Sequence, residues 1–286
     1  MHISIAAEHL FDIWGLRVTN TMLTSWLVVI FLVVISVLIR RAMEKKPNGK
    51  VAIAVESILD GFIGFMSAFA GDKKTVRKFL PIVAGIFFYV LTANWAGTLP
   101  GIETIGINQG VSSGEHASVD SHGEEIAVEP KEDSHGEESA AATDDAHGSE
   151  GRFLPLFRTV NSDLNMTLIL AAIIVIGSHI VGFTTIGAKH HLGKFFVNPF
   201  KKPIGFFVGI LELIGELSRL ISLTFRLFGN IFAGSVLMLI ISFLAPFFVP
   251  IPFLGLELFV GFVQALVISV LAVMFLASAT HMHEEH

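Results

Sequence analysis

Gly209, Glu212, Glu216, Arg219, Ser222, Arg226, Asn230 and Gly234 recur at intervals of three or four residues. At about 100° per residue these positions fall on one helical face about 140° wide. The opposite face is Leu, Ile, Phe and Val. Arg226 lies inside SRLISLTFRLFGNIFAG, one of the most apolar runs of the chain. An arginine stays charged even where water is scarce. At a bilayer centre that charge costs at least about 2.5–3.5 kcal/mol. A moving counter-charge is the reading that offsets such a cost. Farther along, Glu257, Gly261, Gln264 and Ile268 share one side of a second apolar segment at the same spacing. The two faces are expected to meet. Between them they supply acids (Glu212, Glu216, Glu257), amides (Asn230, Gln264), hydroxyls (Ser222, Ser235) and one deep cation. That set suits a hydrated proton path, in which carboxylates titrate and amides orient water.

Several of these residues also have plainer roles. Arg219 lies near the inner end of its segment and is read as snorkelling, or as pairing with Glu212, Glu216 or both. Glu212 and Glu216 fit a solvated interface as well as a channel mouth. Gln264 fits a helix–helix hydrogen bond as well as a path. His179, on an apolar span, is read as a packed histidine. Arg226 differs because of its depth, since intramembrane charges are functional by default.

The elements that must position these groups are membrane spans. The chain has 286 residues, of which 52% are hydrophobic and 15% charged. Its mean hydropathy is +0.70. A soluble domain carries about 25% charged residues, so the reading is an all-α polytopic membrane protein forming a single membrane domain. No cysteine is present, so no disulfide staples it and the redox compartment cannot be read. The N-terminus lacks the basic region of a secretory signal, so the first span is expected to be retained. Basic residues form short clusters beside spans, a pattern that orients a membrane protein and does not suggest nucleic-acid binding.

A span needs about 20 apolar residues. Residues 1–21 are an outer N-terminal segment, and the first span runs from Met22 to Ile39. Residues 51–71 are apolar but carry Glu56 and Asp60 and have basic clusters on both sides. A segment with positive charge at both ends does not obey the positive-inside rule as a span. It is expected to lie on the cytoplasmic face as an interfacial helix. Phe79 to Leu99 spans outward. Residues 101–158 then change composition, and between Glu103 and Glu150 there are 13 acidic residues and one basic, Lys131. SHGEE occurs twice there. The segment reads as a disordered acidic outer loop. Its His116, His122, His135 and His147 could bind a metal, but a solvated low-complexity insert is the reading taken, with no metal or cofactor site.

Asp163 to Ile186 is the next span, again followed by a basic run. The three proposed inner clusters hold 13 of the 19 Lys and Arg residues, which predicts an outer N-terminus and a cytoplasmic C-terminus. Ile204 to about Phe248 contains no proline between Pro203 and Pro246. One long oblique helix of roughly 67 Å, about twice the hydrocarbon thickness, is the economical reading. Pro246, Pro250, Pro252 and Gly255 would make the outer turn, and Leu256 to Thr280 returns. The expected architecture is about five crossing helices plus one interfacial amphipathic helix, with residues 204–280 forming a long tilted helical hairpin.

Ser222-Leu223-Thr224-Phe225-Arg226-Leu227-Phe228-Gly229-Asn230-Ile231-Phe232-Ala233-Gly234 resembles the signature segment of subunit a of F-type ATP synthases. The helix carrying Glu257 and Gln264 resembles that family's last helix. Asn94 to Pro100 and Asp163-Leu164-Asn165-Met166-Thr167 resemble earlier spans. The arginine segment is highly specific, and the likeness covers nearly the whole chain apart from the acidic loop. The resemblance implies a non-catalytic, proton-translocating stator subunit pressed against a rotating c-ring, with subunit b of the peripheral stalk and the remainder of the ATP synthase as further partners. It implies a bacterial inner membrane, with an organellar one as the alternative. It places the essential arginine at Arg226, between two aqueous half-channels. Asn230, Gln264, Glu257 and Ser235 would line the outer one, with Glu103 near its mouth. Glu212 would match an inner acid, and Glu216 and Ser222 have stripe positions beside it. The chain departs from the family pattern in three ways. Ser235 stands where many relatives carry an ionisable residue, so Glu257 would work alone with water. Leu220 stands where relatives often have proline. The acidic loop is unusually long. A secondary transporter or a membrane scaffold is the competing class. No internal repeat or pair of broken helices favours the transporter, and a scaffold has no need of Arg226.

Overall fold

The structure, a computed structural model, describes residues 9–13, 16–99, 105–109, 152–187, 193, 203–245 and 248–280. Glu103, the four loop histidines and residues 281–286 lie outside the described residues. Among the described residues six long helices follow in order: α1 (Asn20–Lys45), α2 (Lys50–Ala70), α3 (Lys73–Gly97), α4 (Leu164–Ile186), α5 (Pro203–Leu244) and α6 (Pro250–Ser278). All six are long and apolar enough to cross a membrane, and the chain is an all-α polytopic membrane protein. Two short two-stranded ribbons accompany them. β1 (His9–Ile13) pairs with β2 (Leu16–Thr19). In a separate compact unit, residues 106–154, β3 (Gly106–Gln109) pairs with β4 (Arg152–Pro155).

Local chemistry sets the helix ends. Thr19 caps α1 by accepting from the Met22 N–H, and Asp163 caps α4 by accepting from the Asn165 N–H at 2.9 Å. Such side chains satisfy amide groups that an opening helical turn leaves orphaned. Gly71, at φ 78°, closes α2 in the left-handed conformation that glycine adopts freely. Residues of the first two basic clusters fall inside helices. Arg40 and Arg41 extend α1 beyond the expected Ile39, and Lys73, Lys74, Arg77 and Lys78 open α3. The prolines after α5 also differ from expectation. Pro250 starts α6 and does not lie in a turn, because a proline in the first helical turn gives up an N–H that has no partner there anyway.

The long segment is one unbroken α-helix of 42 residues, about 63 Å at 1.5 Å per residue. It packs antiparallel to α4, with Leu223 and Leu227 buried against Leu170, Ala171 and Ile174. Ala265, Ile268 and Ala272 of α6 complete that core. At the other side, α3 and α6 run antiparallel along their whole lengths. Val76, Phe79 and Val83 meet Val273, Leu276 and Ala277 at one end, and Asn94 meets Gly261 at the other.

The segment before α4 ties one end of the bundle together. Thr21, at the start of α1, donates to Asp163 Oδ2 at 2.9 Å. Asn161 Nδ2 donates to Asn94 Oδ1, near the end of α3, at 2.6 Å. The first residues of α1 and the last of α3 are therefore neighbours. α2 joins the opposite ends of these two helices, so it begins and finishes at the basic end of the bundle. Gly97 lets this junction close, since a Cβ on it would fall on the side chain of buried Thr159. Gly97→Ala is expected to destabilise the bundle by about 1–3 kcal/mol, the usual cost of overpacking, and Gly97→Val by more. Thermal unfolding of the purified protein in detergent reads both, and unchanged midpoints would contradict the close approach.

Candidate functional site

The stripe on α5 splits by level and by exposure. Gly209 is buried, Glu212, Glu216, Asn230 and Gly234 are half-buried, and Arg219, Ser222 and Arg226 are exposed. The buried seam is made instead by Leu223, Thr224, Leu227 and Ile231. Ser222 and Arg226 lie at its rim, so the expectation that the polar faces of α5 and α6 meet holds only at the two ends. The physical reason is that packing prefers the leucine edge of the stripe, which leaves no charge to be desolvated.

Near the α5–α6 turn, Gly234 meets Glu257. A Cβ on Gly234 would stand 2.9 Å from Glu257 Oε1, so the missing side chain makes room for the carboxylate. Neighbouring Ser235 donates its hydroxyl to the Phe232 carbonyl at 2.9 Å. Glu257 is half-buried. Below it on α6, Gln264 is 7% exposed. Its Nε2 is the one buried side-chain N or O without a hydrogen-bond partner among the described residues. A buried amide N–H left unmade costs about 1–3 kcal/mol, so this position needs water or another polar group.

At the basic end, Arg219 and Glu216 form an ion pair at 2.6 Å. The Arg219 guanidinium lies over the Phe275 ring of α6, 5.2 Å from its centroid. Glu216 Oε2 is 3.7 Å from His179 Nε2 on α4. Of the two expected partners for Arg219 the structure uses Glu216, and His179 touches a charged group where packing alone was expected. A cleft of about 320 Å³ runs along α5 past Gly215, Ser218, Arg219, Ser222 and Arg226, with Leu271 and Phe275 as its apolar wall.

Arg226 sits near the middle of α5 and at the far end of this cleft. Among the described residues it pairs with no carboxylate. The contrast with Arg219 is direct, because Arg219 has both an acid and an aromatic face. Arg226 is therefore a fixed positive charge that is open to an outside partner.

Sequence reasoning missed the amide cluster behind Glu257. Asn94 Nδ2 donates to the Gly261 carbonyl at 3.1 Å, and Trp95 Nε1 donates to the Leu258 carbonyl at 3.1 Å. These bonds pin α3 to the turn of α6 that carries Glu257. The available signal was an asparagine in the apolar run VLTANWAG, which needs partners when buried.

The family described as ATP synthase A chain matches residues 22–277 of this chain. The chain belongs to that family. Among curated relatives, ATP synthase subunit a of Trichlorobacter lovleyi is 26% identical over 96% of this chain and 92% of its own length. ATP synthase subunit a of Campylobacter concisus is 29% identical over 91% and 89%, and that of Campylobacter jejuni subsp. doylei is 27% identical over the same shares. The ATP synthase A chain match takes in nearly all of the bundle, including the arginine stripe, Glu257 and Gln264. The relatives are named as subunits of ATP synthase, which fits a site whose central charge pairs with no carboxylate among the described residues.

Asn94 holds two partners at once. Asn94→Leu would leave Asn161 Nδ2 and the Gly261 carbonyl without it, and a loss of about 1–3 kcal/mol is expected. Trp95→Phe, which removes a more exposed bond, should cost less. A lower thermal midpoint for Asn94→Leu than for Trp95→Phe checks this order.

Proposed function

We propose that the chain is the stator subunit of the membrane sector of an F-type ATP synthase and carries protons to and from a rotating c-ring through two aqueous half-channels. The observation that carries this reading is the guanidinium of Arg226, which pairs with no carboxylate among the described residues, midway along a 42-residue apolar helix. Only 11% of the most apolar window of α5 is buried, the lowest share of the six helices. That exposed face is suited to the hydrocarbon and to a ring of partner helices.

Ring carboxylates arriving from lipid are neutral, because burial without a counter-charge favours the protonated form. Facing a half-channel, one loses its proton to water. Arg226 then stabilises the carboxylate by opposite charge. It also separates the half-channels, since it cannot release a proton to bridge them. Each proton supplies about 2.3 kcal/mol per 100 mV of membrane potential, which the ring turns into rotation and the catalytic sector into ATP. This subunit contributes the path and the fixed charge, and it makes or breaks no covalent bond itself.

On the outer side, Glu257 takes up protons, with Gln264 and Asn230 orienting water and Ser235 lending a hydroxyl. The unmade Gln264 N–H is a natural place for such water. Glu103 would stand at the mouth of this path. On the inner side stand Glu212 and Glu216, with Ser222 between them and Arg226 along α5. A 63 Å helix fits a membrane only when steeply tilted, and tilt lets one helix serve both half-channels. α2 lies along the cytoplasmic interface, which its two basic-end attachments favour. The assignment puts the N-terminus outside, the C-terminus in the cytoplasm and the protein in a bacterial inner membrane. Its partners are the c-ring, subunit b and the remaining complex.

Arg226→Lys and Arg226→Ala are both expected to abolish ATP-driven acidification of inverted vesicles. Lysine fails because a buried ammonium loses its proton readily. Normal acidification in either variant would sink the assignment. Glu257→Leu should slow proton entry, and unchanged transport would remove Glu257 from the path. Co-purification of a c-ring and a soluble ATPase sector separates this reading from a transporter or a scaffold.

A further inference from the structure

Three side chains from two helices meet on the basic half of α5. Glu216 is held by Arg219 through Oε1 at 2.6 Å and lies 3.7 Å from His179 Nε2 through Oε2. Phe275 of α6 supports the guanidinium from the other side. The side chains of His179 and Glu216 are 26% and 16% exposed, so both are sheltered yet within reach of water. The cluster adjoins the cleft that leads to Arg226. Gly215, beside Glu216, lines that cleft, with open space where a Cβ would stand.

We propose that His179 is a proton-relay residue of the inner half-path, with Glu216 as its partner, standing between inner water and the cleft of Arg226. The proposal deepens the subunit reading above and rests on it. An imidazole takes up and releases a proton near neutral pH, and a guanidinium does not. Glu216 is already committed to Arg219 through one oxygen, so the second oxygen is the one free to hold an imidazolium. A proton from water binds the imidazole and converts the His179–Glu216 contact into a charge-assisted hydrogen bond. Its departure towards the cleft returns neutral imidazole beside a carboxylate still held by Arg219. One proton enters and one leaves, and no bond between heavier atoms changes.

Among the described residues the charged surroundings are few. α4 carries no titratable side chain other than His179. α5 contributes Glu212, Glu216 and Arg219 at this level, and Arg226 lies about 10 Å beyond Arg219 along the axis. α6 offers Leu271 and Phe275 here, and its only charged side chain, Glu257, lies towards the other end. α2 packs near Val181 of α4 and carries Glu56 and Asp60, both exposed. Arg219, clamped by Glu216 and Phe275, acts as a positioning residue that holds the carboxylate in place.

The test is ATP-driven acidification by the whole complex in inverted vesicles, with the pH on the inner-face side varied from about 6 to 8.5. His179→Gln should slow pumping by about a hundredfold or more, as loss of a proton-transfer group does, and should alter the pH profile. Glu216→Gln should do the same, and the double variant should be no slower than the worse single one, because the two act as a unit. An unchanged rate and profile in His179→Gln, or losses that multiply in the double variant, would overturn the relay. Should Glu216→Gln fail to assemble, the His179→Gln and His179→Leu profiles decide alone. Retained acidification in Arg226→Ala would instead defeat the subunit reading. An Arg226-dependent complex indifferent to His179 defeats only the relay.

Discussion

A guanidinium that cannot give up its proton stands midway along a helix too apolar to solvate it, and this chain pairs it with no carboxylate among the described residues. That constraint orders the rest of the structure. Water or a counter-charge must reach Arg226, so its helix cannot be buried on all sides. The seam of α5 is accordingly turned by one edge. Leu223, Leu227 and Ile231 pack inward, while Ser222 and Arg226 stay at the rim. In the proposed function that counter-charge comes from a carboxylate on another chain.

Arg219 shows what a satisfied arginine looks like on the same helix, two turns away. Glu216 bonds it at 2.6 Å and Phe275 covers its face. A structural arginine in this environment acquires an acid and a π surface, and Arg226 acquires neither. The difference between the two argues that the exposure of Arg226 is not a general failure of the fold to pair its charges. The rest of the bundle is closely paired. Thr21, Asn94, Asn161 and Asp163 lock the loop end into hydrogen bonds, and among the described residues Gln264 is the one buried side-chain amide left waiting. Unmade polar potential is thus concentrated at the level of Arg226 and just beyond it, where the proposed path needs mobile groups.

Much of the architecture was legible in the residues themselves. The absence of proline across residues 204–245 predicted one long helix, and one long helix forms. The apolar stretches predicted the helices, because hydrocarbon tolerates backbone only when its own hydrogen bonds are closed. Basic residues were misplaced only in detail, since Lys and Arg extend helices readily and here lie inside α1 and α3. The prolines around residue 250 misled for a related reason, because the same residue breaks a helix interior and suits a helix start. His179 was read as packing, and its partner could not be named from one strand of sequence. The sum of positions that meet across an antiparallel pair depends on where each helix sits along its axis.

Periodicity is a local property, so the sequence by itself determined the helices, the polar stripe, the depth of Arg226 and the family. It did not determine which edge of the stripe would be buried, because Leu223 and Arg226 lie within the same broad face. Only the packing of α4 and α6 against α5 decided that. Tertiary structure alone brought Glu257 against Gly234, Asn94 against Gly261 and His179 against Glu216. These contacts join residues far apart in the chain, and their register follows from side-chain volumes at interlocking helix faces. The charge of Arg226 was therefore written in the sequence, and the fold decided that no carboxylate among the described residues meets it.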